Sequence, residues 1–283
     1  MARGSGGESV LHKHLRVLEA FDTWHPFLTL TEIAQAARLA PSTAHRLVAE
    51  LEDEGLLERL PDRSYRLGVR LWEFASRTPG AVGLREIARP WMSAVQQRVK
   101  QHVQLGVRSG HDVLFIERMS MPDATLNATV IGGRTPLHAS SSGLVLLAHG
   151  DAALVSAAVR DPLPVYTEYS LRTAADVRSE LRRVRAEGFA VADRFIHLES
   201  RGIAVPIAGP DGSVYAAMGV VVPSDGSSPL PYVELLKRAS AGIAGDLAVA
   251  YRADGGGRVH GIRSLVTSSR RSLEYLELRG DRL

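Results

Sequence analysis

Two short stretches of this sequence concentrate groups that bind anions. Ser42, Thr43, His45 and Arg46 place two hydroxyls, an imidazole and a guanidinium within five residues. Hydroxyls of that length reach phosphate oxygens, and a planar guanidinium takes both acceptors on the edge of a guanine. Arg59, Arg63 and Arg66 follow soon after. The second stretch is Ser140-Ser141-Ser142, with His138 before it and Gly143 after it, leading into the apolar run Leu144 to Ala148. Serine hydroxyls and free backbone N–H groups at a helix start form an anion cradle. The same serines would serve equally well as simple N-caps. With His138 and Asp193 they also have the composition of a hydrolytic set, but Ser140 stands where the first glycine of a G-x-S-x-G elbow belongs. The chain has no cysteine, which excludes disulfides, zinc fingers and thiol catalysis. Neither a metal nor a cofactor is expected.

The first stretch needs a helix to present it. Leu11, Leu15, Leu18 and Phe21 recur at helical spacing, so Val10 to Phe21 reads as an amphipathic helix. Thr29 and Glu32 have the spacing of a capping box, which starts a second helix running to about Ala37. Pro41 then pushes Ala40 out of the helical region while favouring the first turn of a new helix. That third helix runs from Ser42 to Glu54, burying Ala44, Leu47, Val48 and Leu51 and ending at Gly55. Ser42, Thr43, His45 and Arg46 lie on or beside its outward side, and Glu50 and Glu52 to Glu54 are expected to point away from any phosphate. Pro61-Asp62-Arg63 separates two short alternating runs, the pattern of a β-hairpin wing carrying Arg59, Arg63 and Arg66. Two helices, a tight turn and a wing form a unit whose second helix enters the major groove of DNA. Taken singly, each arginine and His45 could be no more than a solvated group.

A further helix is expected over Leu67 to Ser76 and another over Leu84 to Val99. The tract from His102 to Ile131 alternates like strands, with Ser109 to Asp112 as a hairpin. A helix over Ala174 to Glu187, strands near Phe189 to Ala192, Ile203 to Ile207 and Val214 to Val222, and a closing helix from Leu230 to Tyr251 complete one sheet between helical layers. The fold class is therefore α/β (α+β). The expected domains are a head over 1–67, a linker helix over 68–82, a sensing domain over 83–251 and a flexible basic tail over 252–283. Through residue 79 the head carries ten Lys and Arg against eleven Asp and Glu, so its total charge marks no polyanion binder and the placement of single arginines must. No apolar stretch approaches the ~20 residues that cross a bilayer, and the expected location is the cytoplasm, with no membrane partner.

Leu28 to Ala34, Ser42 to Leu47 and Tyr65 to Gly68, continued by Leu84 to Pro90, Pro136 to Ser140, Gly188 to Val191 and Val205 to Ile207, closely resemble the IclR family of bacterial regulators. The resemblance implies a winged helix-turn-helix head, a linker helix and a GAF-like effector-binding domain. It also implies a homodimer or dimer of dimers on a double-stranded DNA operator, more often as a repressor. Arg38 stands where the family often has glycine in the turn. Ala192 and Gly202 stand where members that bind small keto acids carry an aspartate and a cysteine, with Asp193 adjacent. Ser140, Ser141, Ser142, Ala192, Asp193 and Gly202 are accordingly the expected effector contacts, with Met119, Leu126 and Phe195 as apolar walls and an organic acid as the expected ligand. The alternatives are a small hydrolase using His138 and the serines, and a ligand-sensing protein that acts without DNA.

Overall fold

The computed structural model describes residues 8–22, 24–76, 81–160 and 162–250. The expected tail lies outside them. Contacts divide the chain into two compact units at residues 78 and 79.

In the first unit, α1 (Val10–Glu19), α2 (Leu30–Ala36) and α3 (Pro41–Asp53) pack above a two-stranded hairpin, β1 (Leu57–Arg59) and β2 (Tyr65–Leu67), and α4 (Val69–Ser76) follows. The capping box forms as the spacing requires, with the Glu32 carboxylate accepting the Thr29 N–H at 2.7 Å and the Thr29 hydroxyl accepting the Glu32 N–H at 3.4 Å. Ala44, Leu47, Val48 and Leu51 are all buried, and Gly55 ends the segment in the left-handed region at φ 69°. The glycine-free turn between α2 and α3 is bridged by Arg38 at φ 51°. Its strain, about 1–2 kcal/mol, is offset by Arg16 of α1, which donates to the carbonyls of Ala37 and Arg38.

The inward face of α1 matches the expected one in its second half only: Leu18 and Phe21 pack with Val17 in the core, whereas Leu11 and Leu15 are exposed. Polar pins set this rotation: His14 meets Glu50 of α3 at 2.8 Å, and Arg16 is fixed to the turn. The helix also stops at Glu19, short of Phe21.

The second unit opens with α5 (Ala81–Val99) and contains a six-stranded sheet built from β3 (His102–Ser109), β4 (Asp112–Met119), β5 (Arg134–Pro136), β6 (Ala190–Asp193), β7 (Ser200–Ala208) and β8 (Val214–Pro223). The spatial order is β5-β4-β3-β8-β7-β6, antiparallel throughout. On one face, α5 and α9 (Leu230–Ala250) bury Met92, Val95, Leu236 and Ile243 against Leu105, Ile203 and Val205. On the other, α6 (Ser141–Ala148) and α8 (Ala174–Glu187) bury Leu144, Leu147, Val177 and Leu181 against Phe115, Ala204 and Ala217, with α7 (Ala152–Ala158) alongside. The single sheet between helical layers is thus as expected, and α8 has the expected ends, set by a capping box at Thr173 and a left-handed Gly188.

The strand pattern read over 102–131 stops at Met119. Residues 120–133 form a loop, because Pro122, Asp123 and Gly132-Gly133 break the alternation. Side chains tie this loop to the sheet. His102 contacts the Thr125 carbonyl through Nε2, Gln101 accepts the Thr125 N–H at 2.8 Å, and Arg118 donates to the Thr129 carbonyl. Burial holds the His102 imidazole below its ordinary pKa, in keeping with a neutral ring in that place.

Two features lock the parts that flank α6. Gly143 packs so tightly on the turn before it that a Cβ would stand 2.2 Å from the Leu137 carbonyl oxygen. Asp193 and Arg201, opposite each other on β6 and β7, pair at 3.1 Å, and Ser224 donates to Asp193 at 2.6 Å. Burial pushes the Asp193 carboxyl up, but Arg201 and Ser224 outweigh it and hold the pKa below the ordinary value.

Gly143→Ala is expected to cost about 1–3 kcal/mol in denaturant unfolding, because backbone and not a flexible side chain must move; an unchanged midpoint would show that the turn yields freely. Asp193→Asn is expected to cost about 1–3 kcal/mol at neutral pH, reduced from the value for a fully buried pair because Asp193 is 37% exposed. Since the folded pKa is depressed, that advantage is present above the ordinary carboxylate range and is lost as pH falls through the folded value. Thermal unfolding of both proteins from about pH 7 to pH 3 should show the gap closing on acidification, and a gap that stays constant would assign it to another cause.

Candidate functional site

Each unit presents one candidate surface. On the head, α3 begins without a side-chain cap, Ala40 being the N-cap and Pro41 the first helical residue. The N–H groups of its first turn are therefore left for an external acceptor. Ser42, His45 and Arg46 are exposed beside them and Thr43 is half-buried. Arg59, Arg63 and Arg66 are exposed on the hairpin, and Arg63 occupies its tip at φ 67°, a conformation that favours glycine.

The arginines are not equivalent. Arg46 donates to Glu50, one turn along α3, and Arg66 forms a two-pronged pair with Glu58 at 2.9 and 3.0 Å. Arg59 lies over the Tyr65 ring, 5.7 Å from its centre. Among the described residues no carboxylate pairs with Arg59 or Arg63. Glu50 does not simply point away from the site: desolvation works against its charge, yet the bonds from His14 and Arg46 keep it ionised below its ordinary pKa.

In the second unit a cavity of about 50 Å³ opens between the sheet, the start of α6 and two loops. Its floor is Gln104, Val221, Gly202 and Ala192, one residue from each of four adjacent strands, β3, β8, β7 and β6. Ser140 and Ser141 stand at the helix start, Phe195, Ile196 and His197 close one end, and Asn127, Ala128 and Thr129 close the other. Among the described residues no lining side chain is Lys, Arg, Asp or Glu.

The three serines have three different roles. Ser140 caps α6, accepting the Gly143 N–H at 3.1 Å. Ser141 is only 1% exposed, lines the cavity and has no hydrogen-bond partner among the described residues. Glycine at 202 makes room for it, since a Cβ there would lie 2.8 Å from the Ser141 hydroxyl. Ser142 does not line the cavity, and its enclosed, unpartnered hydroxyl lies near Gly219 instead.

Of the other expected contacts, Ala192, Gly202 and Phe195 line the cavity and Met119, Leu126 and Asp193 do not. Met119 packs with the core on the α5 side, Leu126 is exposed and Asp193 is committed to Arg201. The hydrolytic set is not assembled: His138 is buried with Nε2 at the Pro164 carbonyl, away from the cavity lining. Gln104, Asn127, Thr129 and His197 were not singled out from sequence. A lone glutamine inside the apolar strand Val103-Gln104-Leu105 was the one available sign of the first.

Residues 10–61 match the family described as the IclR helix-turn-helix domain, and residues 78–239 match that described as bacterial transcriptional regulator IclR C-terminal. The HTH-type transcriptional regulator XynR of Escherichia coli (strain K12) is 28% identical over 74% of this chain and 84% of its own. The HTH-type transcriptional regulator BhcR of Paracoccus denitrificans (strain Pd 1222) is 30% identical over 79% of this chain and 80% of its own. Among solved structures, an IclR homolog from Microbacterium hydrocarbonoxydans, complexed with 4-hydroxybenzoate, is 41% identical with a TM-score of 0.81, covering 85% of this chain and 100% of that one.

Proposed function

Since the chain belongs to the IclR family of bacterial transcriptional regulators, we propose that it is a cytoplasmic repressor whose grip on an operator is set by an aromatic carboxylate bound in the second unit. Residues 1–67 form the DNA-binding head, 68–82 the linker and 83–251 the sensing domain. The observation that carries the effector reading is Ser141, a buried hydroxyl without a partner among the described residues, at the α6 N-terminus and in the lining of a cavity. The helix dipole and free N–H groups favour a carboxylate there, and the flat apolar floor of Ala192, Gly202 and Val221 suits a ring. The hydroxybenzoate bound by the Microbacterium homolog is of the same class.

On the DNA side, α3 enters the major groove with its uncapped start against a phosphate, and the wing places Arg63 on the backbone. Docking exchanges the Glu50 partner of Arg46 for a base edge, so specificity arises where the exchange is favourable and not from net charge. The head works as a pair. Val69 and Trp72 of α4 are 72% and 69% exposed, and Leu11 and Leu15 add an apolar edge on α1; a second copy is the partner that covers them, matching a two-fold operator.

Selection of duplexes from a random pool, followed by affinity measurement with and without 4-hydroxybenzoate, tests both sides. Arg46→Ala should weaken the selected duplex by about 1–3 kcal/mol, and raising salt should weaken it steeply; wild-type affinity in the variant would remove the base contact. Gly202→Val should abolish the response to the acid while leaving duplex binding without acid unchanged. A full response from that variant would place the effector elsewhere.

A further inference from the structure

Resting on the effector reading above, we propose that Gln104 is the residue that selects the effector, by hydrogen bonding a neutral hydroxyl at the end of the ring remote from the carboxylate. Gln104 sits on β3, one of the two central strands, is 2% exposed and lines the cavity. Its amide oxygen lies 2.7 Å from the Thr129 hydroxyl and 3.4 Å from Asn127 Nδ2, both on the loop that closes this end. Its Nε2 has no hydrogen-bond partner among the described residues. A buried amide is costly when half satisfied, which points to a missing partner in the cavity.

The hydrogen-bond count identifies that partner. The Thr129 hydroxyl is also 2.8 Å from Asn127 Oδ1, which is fixed as an acceptor by the Thr129 N–H at 3.0 Å. One hydroxyl proton cannot serve both carbonyls. Asn127 Nδ2 also faces the glutamine oxygen, at 3.4 Å, so the consistent arrangement has Thr129 donating to Gln104 and the glutamine presenting its NH₂ to the cavity. A neutral ligand hydroxyl accepts from that NH₂ without bringing a charge into the cavity. A second carboxylate would also accept from it, but among the described residues no cationic side chain lines this end to neutralise the charge.

The spacing is that of one ring. Ser141 stands over Gly202 on β7, while Gln104 is two strands away on β3 and two residues along, by the pairings of Gly202 with Val221 and of Gln104 with Gly219. Two strand spacings of roughly 10 Å and two residues of roughly 7 Å put the backbones about 12 Å apart, and the reach of both side chains shortens the gap toward the length of one ring.

Calorimetry on the full chain with benzoate and 4-hydroxybenzoate tests the assignment. The wild type should bind the hydroxylated acid about tenfold more tightly, and Gln104→Met, close in volume but without the amide, should bind the two alike. A preference that survives in folded Gln104→Met overturns the role of Gln104. So does a wild type that binds both acids equally, in which case the carboxylate site stands without it. Binding of neither acid removes the effector reading and this assignment with it. Should Gln104→Met not fold, Thr129→Val on the loop decides: loss of the preference supports the assignment, and its retention overturns it.

Discussion

The approach of α6 to the sheet is the constraint on which the sensing unit depends. Its N-terminal turn rests where β7 and β8 carry glycine, and a Cβ on Gly202 or Gly219 would stand 2.8 or 3.3 Å from the hydroxyls of Ser141 and Ser142. Behind it, Gly143 touches the Leu137 carbonyl so closely that no side chain fits. Three missing Cβ atoms thus bring a helix start, with its free donors and positive dipole end, close to the floor of a cavity. Replacing the glycines by larger residues would push the donors away from any ligand the floor supports.

The head applies a different constraint to its charges. Its arginines are held at near-neutral total charge by Glu50, Glu58 and Glu54, each within one or two elements of its partner. Exposed pairs of this kind add little stability, about 0–1 kcal/mol. Arg63, in a strained conformation at the hairpin tip, has no such partner among the described residues.

Element boundaries were legible where a local device sets them. Thr29 with Glu32, Thr173, Gly55 and Gly188 each satisfy or release backbone groups within four residues, so sequence spacing suffices. The rotation of α1 was not legible, because it is set by His14 reaching Glu50 and Arg16 reaching the Ala37 and Arg38 carbonyls, contacts 21 to 36 residues apart in the chain. For the cavity, the serine cluster was visible, but its division into a cap, a cavity-facing hydroxyl and an enclosed one depends on which strand lies beneath each. The loop over 120–133 looked like a continued strand because its apolar residues still alternate for a few positions. Its true role comes from side-chain ties to Gln101, His102, Gln104 and Arg118, which no periodicity encodes.

Those ties also bear on how a ligand would alter the protein. An effector shifts a conformational equilibrium only by its difference in affinity between two states. The α6 start and the four-strand floor are held by a close-packed core and offer little difference. The loop over 120–133 is held instead by a handful of individual hydrogen bonds, and three of its residues line the cavity. It follows the end of β4, where the successive residues Glu117 and Arg118 face opposite sides of the sheet: Arg118 holds the loop, while Glu117 accepts Arg85 of α5 at 2.7 Å. One strand thus joins the loop that carries Thr129 to the first helix of the unit.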